Sequence, residues 1–534
     1  MSSKKLQIWL PILFALVMVV GMFIGYNLRE HSGNVSFLSS GKKGSVQEVM
    51  DLIRSKYVDD VKVDSIGELA IEEILTHLDP HSLYIPPVYV KTVNDDLMGN
   101  FQGIGVEFQM FDDTVNVINV MKDGPSEKAG VLIGDKIIKV NDSIQLAGVK
   151  IKADDIRKYL RGEENSKVNI TVLRNNQLKK IEITRGIIPV STIDAAYLIE
   201  PTIGYIRINK FGEKTYEEFM ENLEKLQKKQ MKSLILDLRG NGGGLMNEAV
   251  DIADEFLNDN KLIVYTEGSK APRFEYKCKR DGLFEEGKLV VLVDETSASA
   301  SEVLSGALQD WDRATIIGRR TFGKGLVQQQ FNLSNGGAVR LTVARYYSPL
   351  GRNIQKPYTN KSRKEYEEEL TERYTDGELV KGDSLKFVTT SFKTPNGRIV
   401  YGGGGITPDV FVPVDTTLVV REMNKLYRKN TMGKFVYNYY TTRMPFFNQM
   451  KTSADFKNQY SVTDGDWKQL VEFAQKDSIQ LSNVSGNSKQ YLMNQFKSLL
   501  SKQLFRSEGY YEVSNASDSV VLKAISEIKL PKKE

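Results

Sequence analysis

LILDLRGNGGGL, Leu234–Leu245, runs from an apolar segment into a loop with four glycines among five residues and then toward a helix. A short apolar run closed by glycine reads as a strand buried on both faces, as in a parallel sheet. The loop behind it can aim several backbone N–H groups at one point, where a phosphate or a developing oxyanion would sit. A tight turn alone needs one residue of positive φ. Four glycines exceed that need, so the loop is read as anion-binding.

Outward from this stretch the chain alternates strand and helix. IGYIRI, KSLILDLR, KLVVLVD and ATIIG read as strands, and EEFMENLEKLQKK, LMNEAVDIADEFL and SASEVLSGALQDW as helices. That is an α/β pattern. GAVRLTVARYYSP adds a strand, KSRKEYEEELTERY a charged helical insertion, and GGGGITPDVFVP closes the unit. Upstream, residues 100–186 hold short strands with two small helices, a β-rich module. Residues 46–78 read as two short helices, and 416–534 as helical without evident chemistry.

Composition sets the class. At about 150 residues per domain, 534 residues predict three to four domains, and 41% hydrophobic with 26% charged residues is an ordinary globular balance. The net charge of +4 does not suggest a nucleic-acid partner. The single cysteine, Cys278, excludes an internal disulfide and a cysteine-rich metal site. Lys4 and Lys5 precede an uncharged stretch centred on Ile8–Tyr26, long enough to span a bilayer as an uncleaved signal anchor. The lysines would stay in the cytoplasm and the remainder would be exported. The expected location is the bacterial inner membrane, single-pass, with the bulk of the chain in the periplasm.

Two motifs are set aside. His77 and His81 have a zinc-like spacing, but Pro80 lies between them, so HLDPH is read as a packed turn. GRRTFGKG, Gly318–Gly325, lacks the Ser or Thr that ends a phosphate loop, so no nucleotide is expected. What survives is Lys324 between two glycines. TSASASE, Thr296–Glu302, puts small residues at a strand end that opens a helix, where a serine is either a cap or an exposed nucleophile. No histidine lies in the α/β region. A serine there needs another base, and a lysine whose pKa burial has lowered can serve.

With ETSASASE, the stretch ALQDWDRATIIGRRTFGKGLVQ and the upstream DLRGNGGG in this order, residues 46–413 resemble the carboxyl-terminal processing peptidases, the tail-specific serine proteases. The resemblance implies that Ser299 is the nucleophile and Lys324, 25 residues later, the base. It implies that Gln328 orients Lys324, that Asp310 is structural, and that Ala300 and Gly243 N–H groups form the oxyanion hole. It further implies a PDZ domain in which Gly103, Ile104, Gly105 and Val106 bind the substrate's C-terminal carboxylate while the tail adds as a strand beside GVEFQM. In the family picture, docking there can also release a misaligned active site. Asp294 stands where relatives often have asparagine.

The expected fold is multidomain α/β plus β: a ClpP/crotonase-like ββα protease core with an inserted PDZ domain, an N-terminal transmembrane helix and a helical C-terminal extension. The expected bounds are 1–30 anchor, 31–86 linker and helical region, 87–186 PDZ domain, 187–415 protease core and 416–534 extension, a platform for an adaptor or a homo-oligomer. The expected function is Ser-Lys endoproteolysis of envelope proteins with exposed, apolar or unstructured C-terminal tails, without metal or other cofactor. Two other readings stay open: a membrane-tethered PDZ scaffold that only binds peptides, and an acyl-CoA enzyme sharing the core.

Overall fold

The computed structural model describes residues 14–22, 44–359, 361–382, 390–416 and 421–531. The chain divides after Ile71 into two compact units. In the first, residues 14–22 are helical and exposed, and helix Ser45–Lys56 follows. The remainder of the expected membrane anchor, like most of the linker behind it, lies outside the described residues. Among those described, no helix is long and apolar enough to cross a membrane.

The second unit is built on a six-stranded sheet, ordered Ile193–Glu200, Ile203–Ile208, Ser233–Asp237, Lys288–Val293, Thr315–Gly318 and Val410–Phe411. Only the first pair is antiparallel. Its strands alternate between two apolar cores. Leu234, Leu236, Val291 and Val293 face one side, packed with Phe219, Ala249, Leu304 and Leu308 of the helices that cross between strands. Ile235, Val290 and Leu292 face the other, covered by Val520, Val521, Ala524 and Ile528. The continuous apolar strands are thus explained by cover on both faces. The cover on the second face is helix Ser519–Lys529, near the end of the chain. The boundary expected at 415/416 therefore cuts through one core.

A second sheet contributes Ile263, Val264 and Tyr346 to the first of these cores. Its longest strand, Ala338–Tyr347, pairs antiparallel with Leu326–Asn332, with Leu83–Ile85 and with Leu262–Gly268, which continues into Ala271–Lys277. Most of this sheet escaped the sequence reading, which recognised Ala338–Tyr347 alone. The β-rich module is an open sheet ordered Val106–Phe111, Thr114–Val120, Lys136–Val140, Lys167–Arg174 and Gln177–Thr184, with helix Ala153–Leu160. Asn100–Gly103 pairs with Gly186–Pro189 at its base. The extension is an aromatic-rich helical bundle around Phe435, Tyr439, Phe447, Phe456 and Phe496.

Candidate active site

Strand Lys288–Val293 ends in a turn that delivers Ser299 to the start of helix Ala300–Asp310. Ser299 has φ 54° and ψ −114°. A non-glycine residue in that region stores strain of about 1–3 kcal/mol and persists only where its surroundings over-determine it. Here they do. Ser299 N–H donates to Glu302 Oε2 at 2.9 Å, Glu302 N–H donates to Ser299 O at 2.8 Å, and Tyr346 Oη donates to Ser299 O at 3.1 Å.

Glu302 is buried and serves two segments at once. Its carboxylate also accepts from Gly323 N at 2.7 Å, Lys324 N at 2.8 Å and the Thr321 hydroxyl. One carboxylate thereby clamps the serine turn to the lysine loop. Burial pushes its pKa up, against the pull of these donors. The sequence analysis gives Glu302 no role; the signal available was its place three residues after a serine cap, in the first turn of the helix.

The glycine loop is tied to the same turn. Asn241 donates through Nδ2 to Ile208 O at 3.0 Å, while its own carbonyl accepts from Ala298 N and Ser301 Oγ, both at 3.0 Å. Asp294 accepts from Gly240 N at 3.1 Å and from Thr296 N at 3.0 Å. Gly243, at φ 96°, lies so close that a β-carbon there would stand 2.8 Å from Ser299 Cβ and 3.0 Å from Ala300 N. No other residue type fits. Its N–H, expected free for an oxyanion, instead donates to Asn241 Oδ1 at 2.8 Å. Ala300 opens the helix, where N–H groups lack intrahelical partners.

Lys324 Nζ donates to Gln328 Oε1 at 3.0 Å. Gln328 sits where the register of Leu326–Asn332 against Ala338–Tyr347 slips by a bulge, a device that re-aims a side chain. Its Nε2 in turn donates to His81 O. The HLDPH turn is held by Asp79, which accepts from His81 N at 2.9 Å and Ser82 N at 3.0 Å. His81 Nε2 meets Tyr366 Oη at 3.0 Å. Burial, helped by the Lys324 charge, pulls the imidazole down to about 4, so it is neutral at pH 7. His77 pairs instead with exposed Glu73, at 3.3 Å. Burial lowers the Lys324 pKa first, and the Arg340 charge adds to it, while Glu302 and Asp79 oppose. Gly243, Ser299, Ala300, Lys324 and Gln328 line one cleft of about 430 Å³ with Arg340 on its wall. Asp310 lies outside it, buried against Arg352 at 2.5 Å.

In the β-rich module, Ile104, Gly105 and Val106 line a separate groove below helix Ala153–Leu160. Gly103 does not line it; it closes the ladder opposite Gly186. Val106–Phe111 is the edge strand along this groove, paired on one side with Thr114–Val120.

These two sites are a strained serine turn beside a half-buried lysine and a β-module with an open edge, and known families give the class of protein that carries them: a serine peptidase with a PDZ domain. Peptidase family S41 matches residues 202–361, a PDZ domain matches 102–184, and a family of unknown function (DUF8443) matches 423–506. The chain is 38% identical over 315 residues to the "Carboxy-terminal-processing protease" of Bartonella bacilliformis, spanning 58% of this chain and 71% of that protein. It is 32% identical to a "Probable CtpA-like serine protease" of Staphylococcus haemolyticus over 72% of this chain and 79% of that one. The solved photosystem II D1 C-terminal processing protease covers 69% of this chain and 87% of its own at 27% identity, with a TM-score of 0.37. The chain belongs to peptidase family S41, and within it to the carboxy-terminal-processing serine proteases that carry a PDZ domain.

Proposed function

We propose that Ser299 and Lys324 form a catalytic dyad that hydrolyses peptide bonds by acyl transfer. Neutral Lys324 takes the Ser299 proton, the serine oxygen attacks the scissile carbonyl, and Lys324 then protonates the leaving amine. Water releases the acyl-enzyme with Lys324 again as base. The observation that carries this reading is a lysine with a lowered pKa sharing a cleft with a strained serine. Gln328 holds the lysine through the 3.0 Å bond described above. The Ala300 N–H is the better-supported oxyanion donor. Gly243 joins it only if the Asn241 bond opens when the carbonyl arrives.

On this reading the parallel strands and serine-bearing helix are a ClpP/crotonase-like core. The PDZ groove takes the free C-terminus of an unfolded or tail-exposed protein, and the N-terminal apolar stretch anchors the chain in the bacterial inner membrane with the catalytic unit in the periplasm. Casein cleavage by the full chain tests the dyad. The parent should cleave, while Ser299→Ala and Lys324→Ala should each lose about 10³-fold or more. Equal cleavage by all three overturns the assignment. Tail-peptide binding without any cleavage supports the scaffold reading instead.

A further inference from the structure

The PDZ groove has a second wall. Helices Thr431–Thr441 and Gly486–Ser514 stand across it, so that one cavity of about 620 Å³ is bounded by Ile104–Val106 and Leu160 on one side and by Val436, Tyr437 and Leu499 on the other. The two walls are joined by direct contacts. Gln503 Nε2 donates to Ile118 O, and Arg506 Nη2 donates to Val120 O at 3.3 Å. Lys434 pairs with Asp112 at 2.8 Å, and the Tyr437 ring meets Phe111 at 5.4 Å. The long helix breaks at Arg506, which takes φ 59° and ψ −152°. That conformation is costly for a residue with a side chain, at about 1–3 kcal/mol, and it delivers the guanidinium to the groove.

The charged residues lining the cavity are Arg157, Arg161, Lys502 and Arg506 against one acid, Glu107. Arg157 is paired with Asp154 and Arg161 lies 4.6 Å above the Phe101 ring. Lys502 and Arg506, both exposed, have no acidic partner among the described residues. A free carboxylate at the end of a bound strand answers the N–H groups of the carboxylate loop. It leaves the two helical cations unanswered.

We propose that the extension is the second half of the tail-binding site, and that Lys502 and Arg506 select C-terminal tails carrying an acidic side chain within their last few residues. The proposal rests on the reading of the PDZ groove as the tail site and adds the specificity-determining wall. An extended tail pairs with Val106–Phe111, places its apolar side chains among Leu160, Val436 and Leu499, and directs its acidic side chain at Lys502 and Arg506. The family of unknown function matched over 423–506 thereby acquires a role in reading substrates.

The test uses the full chain carrying Ser299→Ala and four fluorescent peptides: an apolar tail with one aspartate near its end, its asparagine counterpart, and the C-terminal amide of each. The aspartate peptide should bind about three- to tenfold tighter than the asparagine one, the range of a partly exposed ion pair. Added Lys502→Gln should bring the two affinities together. It breaks no bond in the described structure, so folding is not at issue; Arg506→Gln, which also removes a bond to the PDZ domain, serves as the second variant. Equal binding of aspartate and asparagine peptides, with both amides weak, overturns the acidic preference alone. Amides binding as well as free acids overturn the tail reading itself. A preference that survives both substitutions overturns the role of the helical wall.

Discussion

The cleft around Ser299 and Lys324 and the groove of the PDZ domain are held together in different ways. The cleft is pinned by buried polar groups: Glu302 is 1% and Asn241 0% exposed, and each joins segments that the strand order brings side by side. The groove is pinned by contacts between residues more than 300 positions apart, such as half-buried Gln503 with Ile118 and Lys434 with exposed Asp112. Chemistry requires reacting groups held to a fraction of an ångström. Recognition of varied tails tolerates, and profits from, a wall that can give.

The difference predicts unequal responses to single substitutions. Glu302→Ala should be the most damaging. It strands the donors of Ser299, Thr321, Gly323 and Lys324 without their acceptor, at about 1–3 kcal/mol per buried group left unsatisfied. Casein cleavage should fall at least 10²-fold and the melting temperature by several degrees. A variant that keeps both would show that the serine turn and lysine loop hold their places independently.

Arg340→Gln sharpens the comparison from the electrostatic side. The Arg340 charge helps to lower the Lys324 pKa. With Lys324 as the proposed base, the neutral amine is the active form, so activity should rise as pH rises through that pKa. Removing Arg340 raises the pKa, and the rising limb of the pH–rate profile should move to higher pH with little change in its plateau. A limb that stays or moves down contradicts Lys324 as the titrating base. Asp112→Asn should do least. Asp112 is 86% exposed in its bridge to Lys434, and such pairs contribute about 0–1 kcal/mol. Peptide affinity should change less than about fivefold, and a larger loss by fluorescence titration would mean the groove wall depends on this one bridge.

The same contrast explains what could be read in advance. Leu234–Leu236 and Leu289–Val293 are continuous apolar runs within their strands, and the serine, glycine and lysine motifs are local in sequence, so the parallel core and the constellation around Ser299 and Lys324 were legible. Leu326–Asn332 was not, because Gln328, Gln329 and Gln330 interrupt any alternation; it is a strand through pairing with Ala338–Tyr347. Glu302 looked like one more residue of the serine motif because its donors come from a loop about 20 residues away. Gly243 was expected to offer its N–H to an oxyanion, but the commitment of that N–H to Asn241 is a matter of side-chain orientation, which spacing does not encode. The groove's second wall left no motif, since its residues belong to two helices whose partner surface lies more than 300 positions earlier in the chain.

Helix Ser519–Lys529 has a consequence for the order of synthesis. Tyr205, Ile235, Val290 and Leu292, on the back of the strands that carry the active-site loops, receive their cover from Val520, Val521, Ala524 and Ile528, and Arg239 beside the glycine loop is paired with Asp518 at 2.9 Å. Every residue of the cleft is made before that helix exists. A chain that stops short of Ser519 therefore carries the cleft residues on a sheet with one face uncovered by this helix. Closing that face, and pairing Asp518 with Arg239, ties the back of the cleft to a segment almost 200 residues downstream of Lys324.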